Sequence, residues 1–92
     1  MRQDAGYFGE TELELVLIAR RVKEAGQVEA VLTDAGFDYF VEPDRYRGTL
    51  LGVLPTERVG AFFYVPSDRA APCRELLASR KFQVVEVEGE NA

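Results

Sequence analysis

The chain reads as an α+β domain of order β-α-β-β-α-β: a four-stranded antiparallel sheet in spatial order 4-1-3-2 with two helices on one face, the ferredoxin-like arrangement. Three observations predict it. Leu13–Ala19 (LELVLIA) and Val59–Val65 (VGAFFYV) are apolar without alternation, as strands covered on both faces require. Phe37, Tyr39 and Val41 alternate with Asp38 and Glu42, and Phe82–Glu88 alternates in part, Val85 and Val87 against Glu86 and Glu88, as half-exposed strands do. Helical spacing falls in the two intervals between a first and a second strand of each pair. Central strands one and three, flanked by two and four, are what the 4-1-3-2 order demands.

Taken in order, residues 1–10 hold Gly6 and Gly9 without periodicity and are expected to be a flexible N-terminus. Leu13–Ala19 is the first strand; Thr11-Glu12-Leu13-Glu14 also reads as a capping box, so helix is the competing assignment. Val28, Val31, Leu32 and Ala35 share one helical stripe, and Gly36 stands where a left-handed helix end is wanted. Phe37, Tyr39 and Val41 form a short second strand stopped by Pro43. Residues 44–58 carry two glycines, a proline and three arginines, which predicts a long loop with at most a short strand over Leu50–Leu54. After the third strand, Ser67 or Asp68 is expected to cap a helix reaching Ser79, with Cys73, Leu76 and Leu77 inward and its opening distorted by Pro72. Phe82–Glu88 is the fourth strand, and 89–92 a flexible end, which leaves one domain over residues 11–88.

Composition narrows the function classes. With 92 residues, 47% hydrophobic and 29% charged, the chain has the balance of a folded domain with one core. Sixteen acidic against eleven basic residues give a net charge of −5, which repels phosphate backbones, so nucleic acid is not an expected partner. Cys73 is the single cysteine, no apolar run approaches a membrane span, and the first ten residues lack the apolar centre of an export signal. The expectation is a cytoplasmic protein with no membrane partner. Without histidine, the usual neutral-pH base, the Ser-His-Asp and Cys-His arrangements and His-containing zinc sites are all missing. No phosphate-cradling glycine motif is present either. No catalytic residue, metal ligand or cofactor is therefore assigned, although a fold of this kind hosts many chemistries.

Glu29-Ala30 followed by Leu32 and Ala35-Gly36-Phe37, and Val65-Pro66-Ser67-Asp68 leading into Leu76-Leu77, carry a resemblance over residues 14–79. The chain resembles a family of small bacterial domains described as signal-transducing and grouped with nitrogen-regulatory PII-like proteins. It departs from that pattern at Ala25-Gly26 and at Pro72. The resemblance implies a PII-like or ferredoxin-like fold, a regulatory role, and a contact element in the loop between the second and third strands; it implies no catalytic residue.

Four features are candidates for binding. The long loop carries Arg45, Tyr46, Arg47 and Arg58, suited to an anionic metabolite or nucleotide, or else paired with Glu42, Asp44 and Glu57 on a solvated loop. Glu10, Glu12 and Glu14 alternate into the first strand and Glu86, Glu88 and Glu90 out of the fourth; they form either a charge-protected edge or a seat for a hard cation. Cys73 near a helix start has either a lowered thiol pKa or a place in the core. Finally, the two central strands offer apolar side chains in both directions. Val16 and Ile18 alternate with Leu15 and Leu17, and Phe62 and Tyr64 with Ala61, Phe63 and Val65; one of the two sets must point away from the helices. Val16, Ile18, Phe62 and Tyr64 are the candidate interface set, covered by a protein partner, by a second copy in a homo-oligomer, or by Leu50, Leu51, Val53 and Leu54 of the loop. The functional expectation is a non-enzymatic regulatory or interaction domain, with a small-ligand sensor as the alternative.

Overall fold

The computed structural model describes residues 1–50 and 54–85, with side chains described except at 47–50 and 54–57. Among the described residues two α-helices pack on a three-stranded antiparallel sheet: β1 (Leu13–Ala19), α1 (Val22–Asp34), β2 (Phe40–Leu50), β3 (Leu54–Pro66) and α2 (Ser67–Ser79), with strand order β1-β3-β2. That order is the 1-3-2 portion of the expected sheet. A fourth strand is not formed by Phe82–Val85: this segment runs beside β1, where the Val85 amide donates to the Val16 carbonyl at 2.8 Å. Residues 86–88 of the expected strand, and Glu86, Glu88 and Glu90 with it, lie outside the described residues.

The apolar run of β1 forms a strand because leucine and β-branched side chains pack on both sides of a pleat. Its pairing with β3 shifts register between Leu15 and Leu17: Leu15 faces Tyr64 while Leu17 faces Phe63, which leaves Val16 as an extra residue. The consequence is a change of side. Val16 and Leu17 both enter the helix-side core, whereas strict alternation would send Val16 outward with Ile18.

The expected loop over residues 44–58 is instead an arm of the sheet. β2 continues through Pro43 to Leu50 and pairs with β3 from Phe40↔Tyr64 to Leu50↔Leu54. Pro43 does not stop the strand because β2 lies at the sheet edge, where one proline nitrogen can point away from the ladder.

Helix α1 buries Val28 and Leu32 and ends as its sequence predicts: Gly36 adopts φ +83°, its amide donates to the Thr33 carbonyl, and the Phe37 amide reaches back to Leu32. Helix α2 begins at Ser67, with Pro66 in the cap position and no side-chain cap, so neither Ser67 nor Asp68 plays the expected capping role. Pro72 sits six residues into the helix, where it forgoes a bond to the Asp68 carbonyl without ending the helix. Ala70, Cys73 and Leu77 join Val16, Leu17, Phe63 and Val65 in the core. The N-terminal residues are tied to the domain: Arg2 bridges to Tyr39 beside β2, the Gln3 amide donates to the Tyr39 carbonyl, and a short 3-10 turn (Ala5–Phe8) buries Phe8.

One side chain that sequence reasoning passed over stitches three segments. Arg74 of α2 donates from Nε to the Val85 carbonyl at 2.7 Å, from Nη2 to the Leu15 carbonyl at 2.8 Å, and from Nη1 to Glu14 Oε1 at 3.1 Å. Its side chain is only 17% exposed. Arg74→Met is expected to lose roughly 1–3 kcal/mol of stability, because two half-buried carbonyls lose charged donors. Glu14→Gln should cost less than about 1 kcal/mol, since both carbonyl bonds survive. Urea unfolding of the two variants checks this, and equal losses would contradict it.

Candidate functional site

The side of the sheet turned away from the helices is built by register. Opposite Tyr64 lie Leu15 on β1 and Phe40 on β2; opposite Phe62 lie Ile18 and Glu42; opposite Gly60 lies Asp44; and Tyr46 faces Arg58. None of Leu15, Ile18, Phe40, Phe62 or Tyr64 belongs to the helix-side core. Their positions agree with the chemistry around Tyr64: burial pushes its phenol pKa up, and the carboxylates of Glu42 and Asp44 on the same face push it further. The Phe40 and Tyr64 rings meet at 6.0 Å and the Tyr46 and Phe62 rings at 6.5 Å, tilted pairs that stiffen the surface.

Of the four residues expected on this face, Ile18, Phe62 and Tyr64 share it and Val16 does not. The bulge carries Val16 under the helices, where it is fully buried. Phe62 is itself closed in by its neighbours, while Leu15, Ile18, Phe40, Tyr46 and Tyr64 remain half-buried. Leu50, Leu51, Val53 and Leu54, the expected intramolecular cover, lie at positions whose side chains are outside those described.

Gly60 sets the contour of the face. A Cβ there would stand 2.9 Å from Ile18 Cγ2, 3.0 Å from the Ala19 carbonyl oxygen and 3.0 Å from Tyr46 Cε1. Only glycine lets the Tyr46 ring lean across β3 toward Ile18. Arg20 then lies over that ring, its guanidinium carbon 5.7 Å from the centroid. The sequence marked Tyr46 for its arginine neighbours in the chain, yet the arginine that stacks on it comes from the end of β1.

The arginines of the expected ligand set alternate across the hairpin. Tyr46 pairs with Arg58, and Arg45 pairs with Val59, so Arg45 emerges on the opposite face from Tyr46 and Arg58. Arg47 is opposite Glu57 by register, and its side chain is outside those described. The strand geometry thus does not bring Arg45 and Arg58 to one anion.

On the helix side, a groove of about 360 Å³ runs between the start of α1 and the hairpin, floored by Ala19, Val41 and Ala61 and rimmed by Arg2, Arg20 and Arg21. Val22 and Val59 border it at 92% and 65% exposure. Arg2 is engaged with Glu29 at 3.5 Å. Glu14 is taken up by Arg74, and among the described residues no group of three potential metal-binding side chains occurs. No helix among them is long and apolar enough to cross a membrane.

Cys73 is fully buried in the core, and that burial pushes its thiol up to about 11, only partly offset by Arg74 and Arg69. The structure puts it at the seventh of the thirteen residues of α2, mid-helix rather than near the start where the helix dipole would lower a thiol pKa.

Three outcomes are expected. Gly60→Ala should destabilise by roughly 1–3 kcal/mol in urea unfolding, because Ile18 and Tyr46 must move apart. Cys73 should react with a thiol reagent at mildly alkaline pH only as fast as the chain unfolds, and rapid labelling of the native protein would contradict the core placement. Burial also raises the phenols of Tyr39 and Tyr64. The folded chain thus holds protons that the unfolded chain releases, and stability present below the ordinary thiol and phenol ranges should be lost as pH rises through the folded values. Thermal melts across alkaline pH test the sign. No protein-family model, curated protein or solved structure matches this chain.

Proposed function

We propose that this chain is a non-enzymatic regulatory or protein-interaction domain of the cytoplasm that docks a protein partner through the sheet face opposite its helices. The observation that carries the reading is the row of half-buried apolar and aromatic side chains, Leu15, Ile18, Phe40, Tyr46 and Tyr64, around buried Phe62, outside the helix-side core and bordered at its Ile18–Arg20–Tyr46 end by Gln83–Val85. An apolar surface of this kind, rimmed by Glu42, Asp44, Arg20 and Arg58, has the make-up of an interface: aromatic centre, charged rim. The likeness to PII-like signalling domains at Ala35-Gly36-Phe37 and Val65-Pro66-Ser67-Asp68 supports a regulatory role on analogy alone.

Magnitudes bound the affinity. Covering one half-exposed leucine or aromatic side chain stabilises by about 1 kcal/mol. Association costs at least ~4 kcal/mol in lost freedom, so a few such side chains alone support weak, concentration-dependent binding. The rim charges then supply selectivity and encounter rate rather than bulk affinity.

The alternative of a small-anion sensor needs arginines on one face, and the alternation of Arg45 with Tyr46 and Arg58 disfavours it. Phe40→Asp and Tyr64→Asp should each keep the circular-dichroism spectrum and stability within about 1 kcal/mol of the parent while lowering binding of a dye specific for apolar surface. Phe63→Asp, which buries a charge in the core, should unfold the domain. If Phe40→Asp and Tyr64→Asp unfold it equally, the face is core and the reading fails.

A further inference from the structure

The charges on the open face are arranged so that the face is complementary to itself. Asp44 stands on β2, opposite Gly60 of the central strand. Arg20 stands at the other edge, one residue beyond Ala19, which pairs with Ala61 and so places Arg20 level with Gly60. Acid and base therefore stand on the two strands flanking β3 at one level, with Gly60 between them and the Arg20 guanidinium over the Tyr46 ring, while Phe62 and Tyr64 follow along β3. Glu42 adds to the acidic edge one step along, level with Ile18. The Asp44 carboxylate is oriented by the Arg45 amide, which donates to Oδ1 at 2.7 Å, and Arg20 is exposed.

A two-fold axis lying between two such faces and running along β3 has a definite effect. It reverses the order of strands across the interface, so that β1 of one copy lies over β2 of the other at the same level. Arg20 of each copy then comes over Asp44 of the partner, twice per dimer, while Leu15 comes over Phe40 and the β3 side chains Phe62 and Tyr64 meet their own counterparts. Apolar residues end in the centre, Arg20 and Asp44 meet at both rims, and at one end of the patch Arg58 of β3 faces its own counterpart across the axis.

Resting on the reading of this face as an interface, we propose that its occupant is a second copy of the chain, in a face-to-face two-fold dimer with strands aligned and Arg20 paired to the partner's Asp44.

Sedimentation equilibrium at low ionic strength, at protein concentrations up to about millimolar, tests it, since pairs at a rim are screened by salt. The wild-type chain is expected to form a dimer. Arg20→Glu and Asp44→Arg, made separately, set like charges opposite one another twice, and each is expected to raise the dimer Kd roughly tenfold or more. An equimolar mixture of the two variants restores opposite charges at both contacts, so the mixture should dimerise about as well as the wild type. Single variants that associate as tightly as the parent, or a mixture that stays monomeric, would overturn the pairing. A wild-type chain that stays monomeric while Tyr64→Asp folds and loses dye binding overturns the self-docking alone; a Tyr64→Asp chain that cannot fold removes the interface reading as well.

Discussion

The constraint from which the rest of this structure follows is that β3, the central strand, carries large apolar side chains on both of its faces while, among the described residues, helices cover only one. Phe63 and Val65 go under α1 and α2 and are fully buried; Phe62 and Tyr64, one residue away each, go to the other side. A strand cannot avoid this when its sequence lacks alternation, because successive side chains leave the pleat in opposite directions. Covering Phe63 and Val65 contributes about 2–3 kcal/mol each to folding. The same chemistry on the other face is less completely covered, and that imbalance leaves the apolar surface on which the proposed docking rests.

Several local features serve this asymmetry. The extra residue in β1 moves Val16 across the sheet, which enriches the helix side and leaves Leu15 and Ile18 to the open side. Gly60 lets Tyr46 and Ile18 approach across β3, so the open face becomes a continuous aromatic surface instead of separate ridges. Arg74 fixes the segment after α2 against the β1 edge by bonding the Leu15 and Val85 carbonyls, beside the bulge itself. Charge then frames the patch, acid along β2 and base at the end of β1. A flat apolar surface would attract any greasy neighbour; a surface with acid and base on opposite edges discriminates among them.

Much of the architecture is legible in the sequence because the signals are local. The β1 run, the stripe of Val28 and Leu32 with its Gly36 end, and the run before Pro66 all give the correct element type, and the central placement of β3 follows from its two-sided apolar character. What the sequence hides depends on neighbours. Pro43 reads as a strand stop, yet an edge strand tolerates it, and only the sheet order reveals that β2 is an edge. The glycines and arginines of residues 44–58 read as loop chemistry although the chain pairs there along its length. Val16 is assigned to the wrong side because a bulge inserts a residue without any composition signal. Arg20 and Arg74 gain their meaning from partners distant in sequence, Tyr46 for one and Leu15, Glu14 and Val85 for the other, so no spacing rule finds them. Away from the bulge, alternation groups Ile18, Phe62 and Tyr64 on one side, but which side the helices take is set by packing that no alternation reveals.

The central claim, that one side of β3 is core and the other is surface, is tested most directly by side-chain exposure of the dilute protein to a soluble paramagnetic agent, read by NMR. Resonances of Leu15, Ile18, Phe40 and Tyr64 should broaden strongly while those of Leu17, Phe63, Val65 and Leu77 remain sharp. Equal protection of the two sets at concentrations where the chain is monomeric would contradict it.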